Sequence, residues 1–432
     1  MLEFYASNRR IQSFDLDFFN SLILYRTVSM KIFLRMAGIL FFVLSCSTSP
    51  QISLSKVGLT NGNWQPSVSS QLQKILRAGA HKNLPVVFDF DGTMLARDIG
   101  EATLAQLTKD KVLSKNHAGV LNNSPAFMLD TKNINLQHAI DVTDYYESLL
   151  QVTSHQSDDD EPYSIGYAWA VQVMAGLTLD QVVLATEKAY AKGAAEHDQT
   201  SDSETKIDVT MGKTSYRRPF FYPEMVDLLG TCLDSGYEVW IISASNVWTV
   251  RWMVMNVLNQ KLAQHGYTGR MIPQRVIGVN TLIQGPDKKL YKDRPLLASN
   301  KNYTKLGIKE LKKFRLTSQI VYPLSGYYGK VANIQKEIGR VPYLVAGDSP
   351  NDHGMLSYAT HALWLARLEK AKYQKTTMER ISKDSQHKWL VQPVLYKKFP
   401  GFIKDFSDLE AKLRGNTQVQ DVYQELFRGD SF

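Results

Sequence analysis

Two cysteines in 432 residues, Cys46 and Cys232, leave nothing from which to build a disulfide framework. Cys232 falls in the helix-patterned run Leu228-Leu229-Gly230-Thr231-Cys232-Leu233 and is expected in the core. The nine histidines are scattered, with none of the paired Cys/His spacings of a zinc site. His353 follows an acidic motif but is expected to be a spectator there. The apolar run from Met36 to Leu44 has nine residues, too few for a bilayer-spanning helix, which needs about 20. Arginine-rich runs and basic–aromatic interleaving are missing too, so nucleic acid is not an expected partner. The net charge of +8 then reads as solvated surface with some attraction to anionic membranes.

What is present begins with a leader pattern. Met30-Lys31-Ile32-Phe33-Leu34-Arg35 is a short basic segment, and the apolar run after it closes on Val43-Leu44-Ser45-Cys46. That is the layout of a bacterial secretory signal, and the residues before Cys46 resemble a lipobox. Cys46 would carry the lipid anchor, and Ser47 resembles the sorting residue of outer-membrane lipoproteins. The expected location is the periplasm, with Cys46 holding the chain to the membrane. Glu3, Asp15 and Asp17 suit such a signal poorly, so translation is expected to start at Met30.

The densest chemistry lies at Asp89-Phe90-Asp91-Gly92-Thr93, directly behind the apolar run Pro85-Val86-Val87-Phe88. Two carboxylates at i and i+2 leave a strand on one face. The first can act as nucleophile and the second as acid/base. A second strand, Glu238 to Ile242, leads into Ser243-Ala244-Ser245, where a hydroxyl and free N–H groups at a strand-to-helix turn would cradle phosphate. Gly329-Lys330 opens a helical stretch. A third strand, Pro342 to Ala346, ends in Gly347-Asp348-Ser349-Pro350-Asn351-Asp352. Apolar strands that each end in polar residues describe an open parallel sheet with its site along the carboxyl edge.

These four elements, in this order, resemble the haloacid-dehalogenase (HAD) superfamily of aspartate-nucleophile phosphatases. The resemblance implies an α/β fold with a Rossmann-like core, a mainly parallel sheet and an inserted helical cap. It implies that Asp89 attacks phosphorus, that Asp91 is the general acid and base, and that Ser243 and Lys330 hold the phosphoryl oxygens. Mg²⁺ would be bound by Asp89, the backbone carbonyl of Asp91 and Asp348, with Asp352 orienting the shell. Hard oxygen donors suit Mg²⁺, and clustered carboxylates need a cation before a phosphate can approach. Dehalogenases of the superfamily lack an acid at the Asp91 position, which favours phosphate monoester hydrolysis.

The chain accordingly divides into a leader (1–46), a flexible tether (47–70), a catalytic core (71–104 and 215–372), a helical cap (105–214) and a C-terminal helical extension (373–432). Helical patterns run from Ile140 to Leu150, Tyr167 to Met174 and Leu179 to Lys192. The acid-rich stretches Ser157 to Glu161 and His197 to Lys206 read as solvated loops. Between Ser243 and Lys330 the sequence reads as a strand at Arg275 to Val279, a turn at Gly285-Pro286-Asp287 and a hairpin. Ala362 to Leu365 reads as a further core strand.

Within the superfamily, Tyr222-Pro223-Glu224-Met225, Val239 to Ser245 and Gly347-Asp348-Ser349-Pro350 resemble exported phosphorylcholine phosphatases. Those enzymes commonly carry Asn where Gly92 stands here. The resemblance implies that an acid after the first motif faces a quaternary ammonium; Glu101 has the matching spacing, with Asp98 second, and Thr93 and Ala244 beside the substrate. A trimethylammonium has no N–H donors, so it wants a carboxylate and aromatic faces, which Tyr145, Tyr146, Tyr167 and Trp169 would supply. Glu101 would equally complement a helix dipole. The expected partner is a small phosphorylated metabolite: phosphocholine or a similar amino-alcohol phosphate, or alternatively phosphoserine, a sugar phosphate or a nucleotide. A non-catalytic lipoprotein that binds a phosphorylated ligand is the remaining reading.

Overall fold

The computed structural model describes residues 58–59, 62–118, 136–154, 165–196, 206–384, 389–397 and 399–427. The leader with Cys46, most of the tether, and the acid-rich stretches up to residue 205 lie outside the described residues.

Helix α1 (Pro66–Gly79) leads into the central strand β1 (Pro85–Phe88). All four β1 residues are buried, as befits a parallel strand covered on both faces. Val86 and Phe88 enter one core with Leu72 and Leu76 of α1, while Val87 enters the core of the opposite face with Met355 and Leu356. The seven-stranded sheet also contains β6 (Glu238–Asn246), β7 (Val276–Val279), β11 (Leu344–Gly347), β12 (His361–Arg367), β13 (Trp389–Leu395) and β14 (Gly401–Phe402). Its order is β14-β13-β12-β11-β1-β6-β7. Every pairing is parallel except that of β13 with the edge strand β14. The chain moves from β1 to β6 and β7, then crosses back to β11, so strand order reverses at β1, where open α/β sheets place their sites.

Helix α2 (Ile99–Lys109) begins the insertion between β1 and β6, after strand β2 (Leu95–Ala96), which pairs with β5 (Phe220–Phe221) ahead of helix α6 (Pro223–Asp234). Helices α3 (Val142–Ser154), α4 (Ile165–Gln172) and α5 (Leu179–Glu196) follow, close to the expected helical stretches. The insertion is not purely helical. Strands β3 (Lys206–Val209) and β4 (Thr214–Arg217) form a hairpin at its end; the buried–exposed alternation of β3 rests Ile207 and Val209 on the core, and β4 adds Tyr216.

A second insertion lies between β7 and β11. Strands β8 (Thr281–Gln284), β9 (Leu290–Tyr291) and β10 (Arg315–Ile320) make a small antiparallel sheet around three short helices. Its Ile283, Tyr303, Phe314 and Leu316 share one apolar cluster with Tyr145, Trp169 and Val182 of the first insertion. Backbone bonds join the two, from Gly176 N to Leu316 O at 2.8 Å and from Leu179 N to Phe314 O at 3.0 Å.

Two expected boundaries differ. The chain is already docked before residue 70: Trp64 is buried, and Gln65 N donates to Gln392 Oε1 at 2.9 Å. The segment after 372 is not a helical appendage, because β13 and β14 complete the main sheet between helices. Among the described residues no helix is long and apolar enough to cross a membrane.

Candidate active site

Asp89 emerges from β1 and is buried, as are Lys330, Asp348 and Asp352. Helix α8 (Tyr328–Asn333) sets the Lys330 ammonium between two carboxylates, 2.6 Å from Asp89 Oδ1 and 2.5 Å from Asp352 Oδ1. Asp352 Oδ2 accepts the backbone N–H groups of Asp348 and Ser349 at 3.0 and 3.1 Å, which folds the loop after β11 onto itself. Thr93 Oγ1 donates to Asp348 Oδ1 at 3.2 Å. Gly92 has φ +80°, and a Cβ there would lie 2.2 Å from Asp348 Oδ2. Both the left-handed backbone and the close approach of the two loops therefore require glycine.

Ligand oxygens of Asp89, Asp348 and Asp352 lie within 4.8 Å of one another. Burial pushes the Asp89 carboxyl well up, Asp352 repels it further, and Lys330 only partly reverses this. Asp348 is pushed up to about 6, chiefly by burial, against the opposing pull of Arg367. Burial alone would lower the Lys330 ammonium, but Asp352 and Asp89 hold it above the ordinary lysine range. Asp348 Oδ2 is buried without a hydrogen-bond donor. Three close carboxylates, all hard oxygen donors, one with an oxygen that accepts no aligned hydrogen bond, fit Mg²⁺. The Asp91 carboxylate stands outside this group.

Asp91 is fixed from two sides. Its Oδ1 accepts Ile99 N–H at 2.7 Å, and its Oδ2 accepts the hydroxyls of Ser243 at 3.1 Å and Ser245 at 2.8 Å. Burial raises this carboxyl and Asp98 adds to the rise, while the three donors oppose it. Here the structure departs from the expected turn. Ser243-Ala244-Ser245 remains in extended β6, and helix α7 (Val247–Met253) starts only after Asn246, which caps it. Extended backbone puts residues 243 and 245 on one face, which is why both hydroxyls reach Asp91. The Ser243 hydroxyl thus sits on the acid rather than in a helix-terminal cradle.

Beside Asp91 a narrow cleft of about 20 Å³, room for about one water, is lined by Asp98, Glu101, Tyr146, Tyr167, Met174 and Ala244, among others. Asp98 is also the N-cap of α2, accepting Glu101 N–H at 2.8 Å. Glu101 combines its two expected settings, since it sits in the first turn of α2 and faces the cavity. Its carboxyl is raised to about 7 by burial first, then by Glu147 and Asp91. Thr93 is fully buried against Asp348, so it steadies that loop rather than lining the cavity. Of the cap aromatics, Tyr146 and Tyr167 line the cavity, whereas Tyr145 and Trp169 pack on each other with ring centroids 5.0 Å apart in the cap core.

Sequence reasoning missed two close neighbours. Ser245 was legible only as part of a polar strand end. Arg367 ends β12, and its Nε lies 2.7 Å from Asp348 Oδ2; a lone cation closing an apolar strand was its only signal.

No family model and no curated protein matches the chain. Among solved structures it is similar to a conserved protein of unknown function from Anaerococcus prevotii, at 16% identity over 80% of this chain and 97% of that one, with a TM-score of 0.52. That likeness concerns the fold. A HAD family hydrolase from Salmonella enterica serovar Typhi is also matched, at 11% identity over 71% of this chain and 67% of that one, TM-score 0.33. So is a phosphoserine phosphohydrolase-like protein from Francisella tularensis, at 14% identity over 76% and 98%, TM-score 0.32. The last two TM-scores are too low to bear on this chain's chemistry.

Proposed function

We propose that this protein is an exported, Mg²⁺-dependent phosphomonoesterase of the HAD type that works through an aspartyl-phosphate on Asp89. The observation that carries the reading is Asp89, ion-paired to Lys330, two residues before an acid held by three donors, one of which, Ser245, also lines the cavity. A carboxylate oxygen of Asp89 forms the bond to phosphorus while the bond from phosphorus to the substrate oxygen breaks. Asp91 gives its proton to that leaving oxygen. It then takes a proton from water as the water oxygen attacks the same phosphorus, freeing inorganic phosphate and the Asp89 carboxylate. Burial keeps Asp91 protonatable, which suits the first step. Asp89 and Asp348 would ligate Mg²⁺, and Asp352, committed to Lys330 and the loop backbone, would steady them. The ion would supply charge neutralisation at the phosphoryl oxygens.

The favoured substrate is phosphocholine or a similar small amino-alcohol phosphate. Glu101, Tyr146 and Tyr167 line one narrow cavity, and a carboxylate with ring faces is the chemistry that holds a quaternary ammonium. The test is phosphate release with Mg²⁺ across phosphocholine, phosphoethanolamine, phosphoserine, a glucose phosphate and a nucleotide monophosphate. Preference for phosphocholine supports the ammonium pocket; preference for another substrate removes the pocket and keeps the chemistry. Silence on every substrate favours a ligand-binding lipoprotein.

Export with lipid attachment at Cys46 belongs to the same proposal and rests on the leader sequence. A palmitate analogue fed to cells should label the wild-type chain and not Cys46→Ala; equal labelling would remove the anchor.

A further inference from the structure

The proposed reaction gives no task to Arg367, a cation within ion-pair distance of one of its metal ligands. The guanidinium lies 5.4 Å from the ring centroid of Tyr373 and 5.3 Å from that of Tyr396, so ring faces help to hold the charge. Lys370 shares the same two rings at 5.6 and 5.7 Å. Although Arg367 Nε and Asp348 Oδ2 are 2.7 Å apart, neither atom has an aligned hydrogen bond. The two are paired by charge and not by direction. Meanwhile Asp348 is oriented independently, by Thr93 Oγ1 and by contact with Gly92.

We propose that Arg367 is a built-in counter-cation for Asp348 that competes with the metal ion, so that the chain's own charge sets how tightly Mg²⁺ is held. The inference rests on the metal reading above. With all three carboxylates ionised, as a bound divalent ion requires, they face two cations, Lys330 and Arg367, which leaves a single net negative charge for that ion. Without Arg367 the cluster carries two. Because Thr93 and Gly92 keep Asp348 in place, removing the guanidinium changes the attraction far more than the geometry. Charges this close inside a buried site interact strongly even at an effective dielectric constant of about 20.

The test is calorimetric titration of the purified chain with Mg²⁺ alone, alongside thermal unfolding with and without the ion. Arg367→Gln should bind Mg²⁺ about tenfold tighter or better, melt lower than wild type when metal-free, and recover more on adding Mg²⁺. Tyr373→Leu keeps every charge but loosens the hold on the guanidinium, and should tighten binding by about two- to threefold. A merely structural Arg367 would lower the melting temperature and leave the Mg²⁺ affinity unmoved or weaker. Binding no tighter than wild type in Arg367→Gln, or in Tyr373→Leu should the first variant not fold, overturns the inference. A wild-type chain that binds no Mg²⁺ overturns the metal reading with it.

Discussion

At the residue scale, roles divide by what each side chain touches. Asp89→Asn should abolish phosphate release with the fold intact, as read by steady-state assay beside circular dichroism. Asp91→Asn should cost roughly 10²–10⁴ in turnover, the usual range for a general acid/base. Glu101 offers a test with a definite sign. Its folded-state carboxyl sits at about 7 against an ordinary 4.5, so between those values the folded chain binds the extra proton and stability falls as pH rises. Ionising it at pH 8 costs about 3 kcal/mol. Glu101→Gln should therefore raise the melting temperature at pH 8 and flatten its pH dependence between 5 and 8, in the absence of substrate. The same variant should raise KM for phosphocholine far more than for a neutral aryl phosphate; equal changes would remove the ammonium contact. Asp89, Asp91, Asp348 and Lys330 were legible because each sits at a strand or helix end with a local signature. Ser245 and Arg367 were not, since their importance comes from which strands lie side by side.

At the element scale, the strands around β1 were readable as continuous apolar runs and the cap helices as periodic ones. Strands β13 and β14 were missed because Trp389-Leu390-Val391-Gln392-Pro393-Val394-Leu395 contains a buried Gln and a Pro, both poor strand signals. The structure resolves the conflict locally: Pro393 O accepts Ile403 N–H at 3.0 Å, and Gln392 Nε2 donates to Ile403 O at 3.1 Å. Ending the chain at residue 384 should thus expose β12 as an edge and give insoluble protein, checked by its partition after lysis. Helix α7 is tied to the second insertion by Arg251 and Asp293, paired at 2.9 and 2.6 Å and fully buried, with Tyr303 also donating to Asp293 at 2.6 Å. Asp293→Ala leaves that guanidinium unpaired and should cost about 3–5 kcal/mol in urea unfolding.

At the scale of the whole molecule, the two insertions share one apolar core above the carboxyl edge of the sheet, and the cavity lies between residues of the first insertion and the end of β6. The first insertion was foreseeable from the long gap between the first two motifs. Its fusion with the second was not, because Leu179 and Phe314 meet only through tertiary packing. If the buried acidic cluster at the sheet edge holds Mg²⁺ as proposed, ion binding couples to folding: Mg²⁺ at a hundredfold excess over its Kd should stabilise the chain by about 2.7 kcal/mol. In the proposed mechanism Asp89 carries the phosphoryl group. The measurement that reaches it most directly is mass spectrometry of the protein mixed with Mg²⁺ and phosphocholine, then quenched in acid within the first turnover. The peptide containing Asp89 should gain the mass of one phosphoryl group, and the same peptide of Asp89→Asn should gain none. Phosphate release at full rate with no phosphorylated peptide, or with release preserved in Asp89→Asn, would contradict that mechanism.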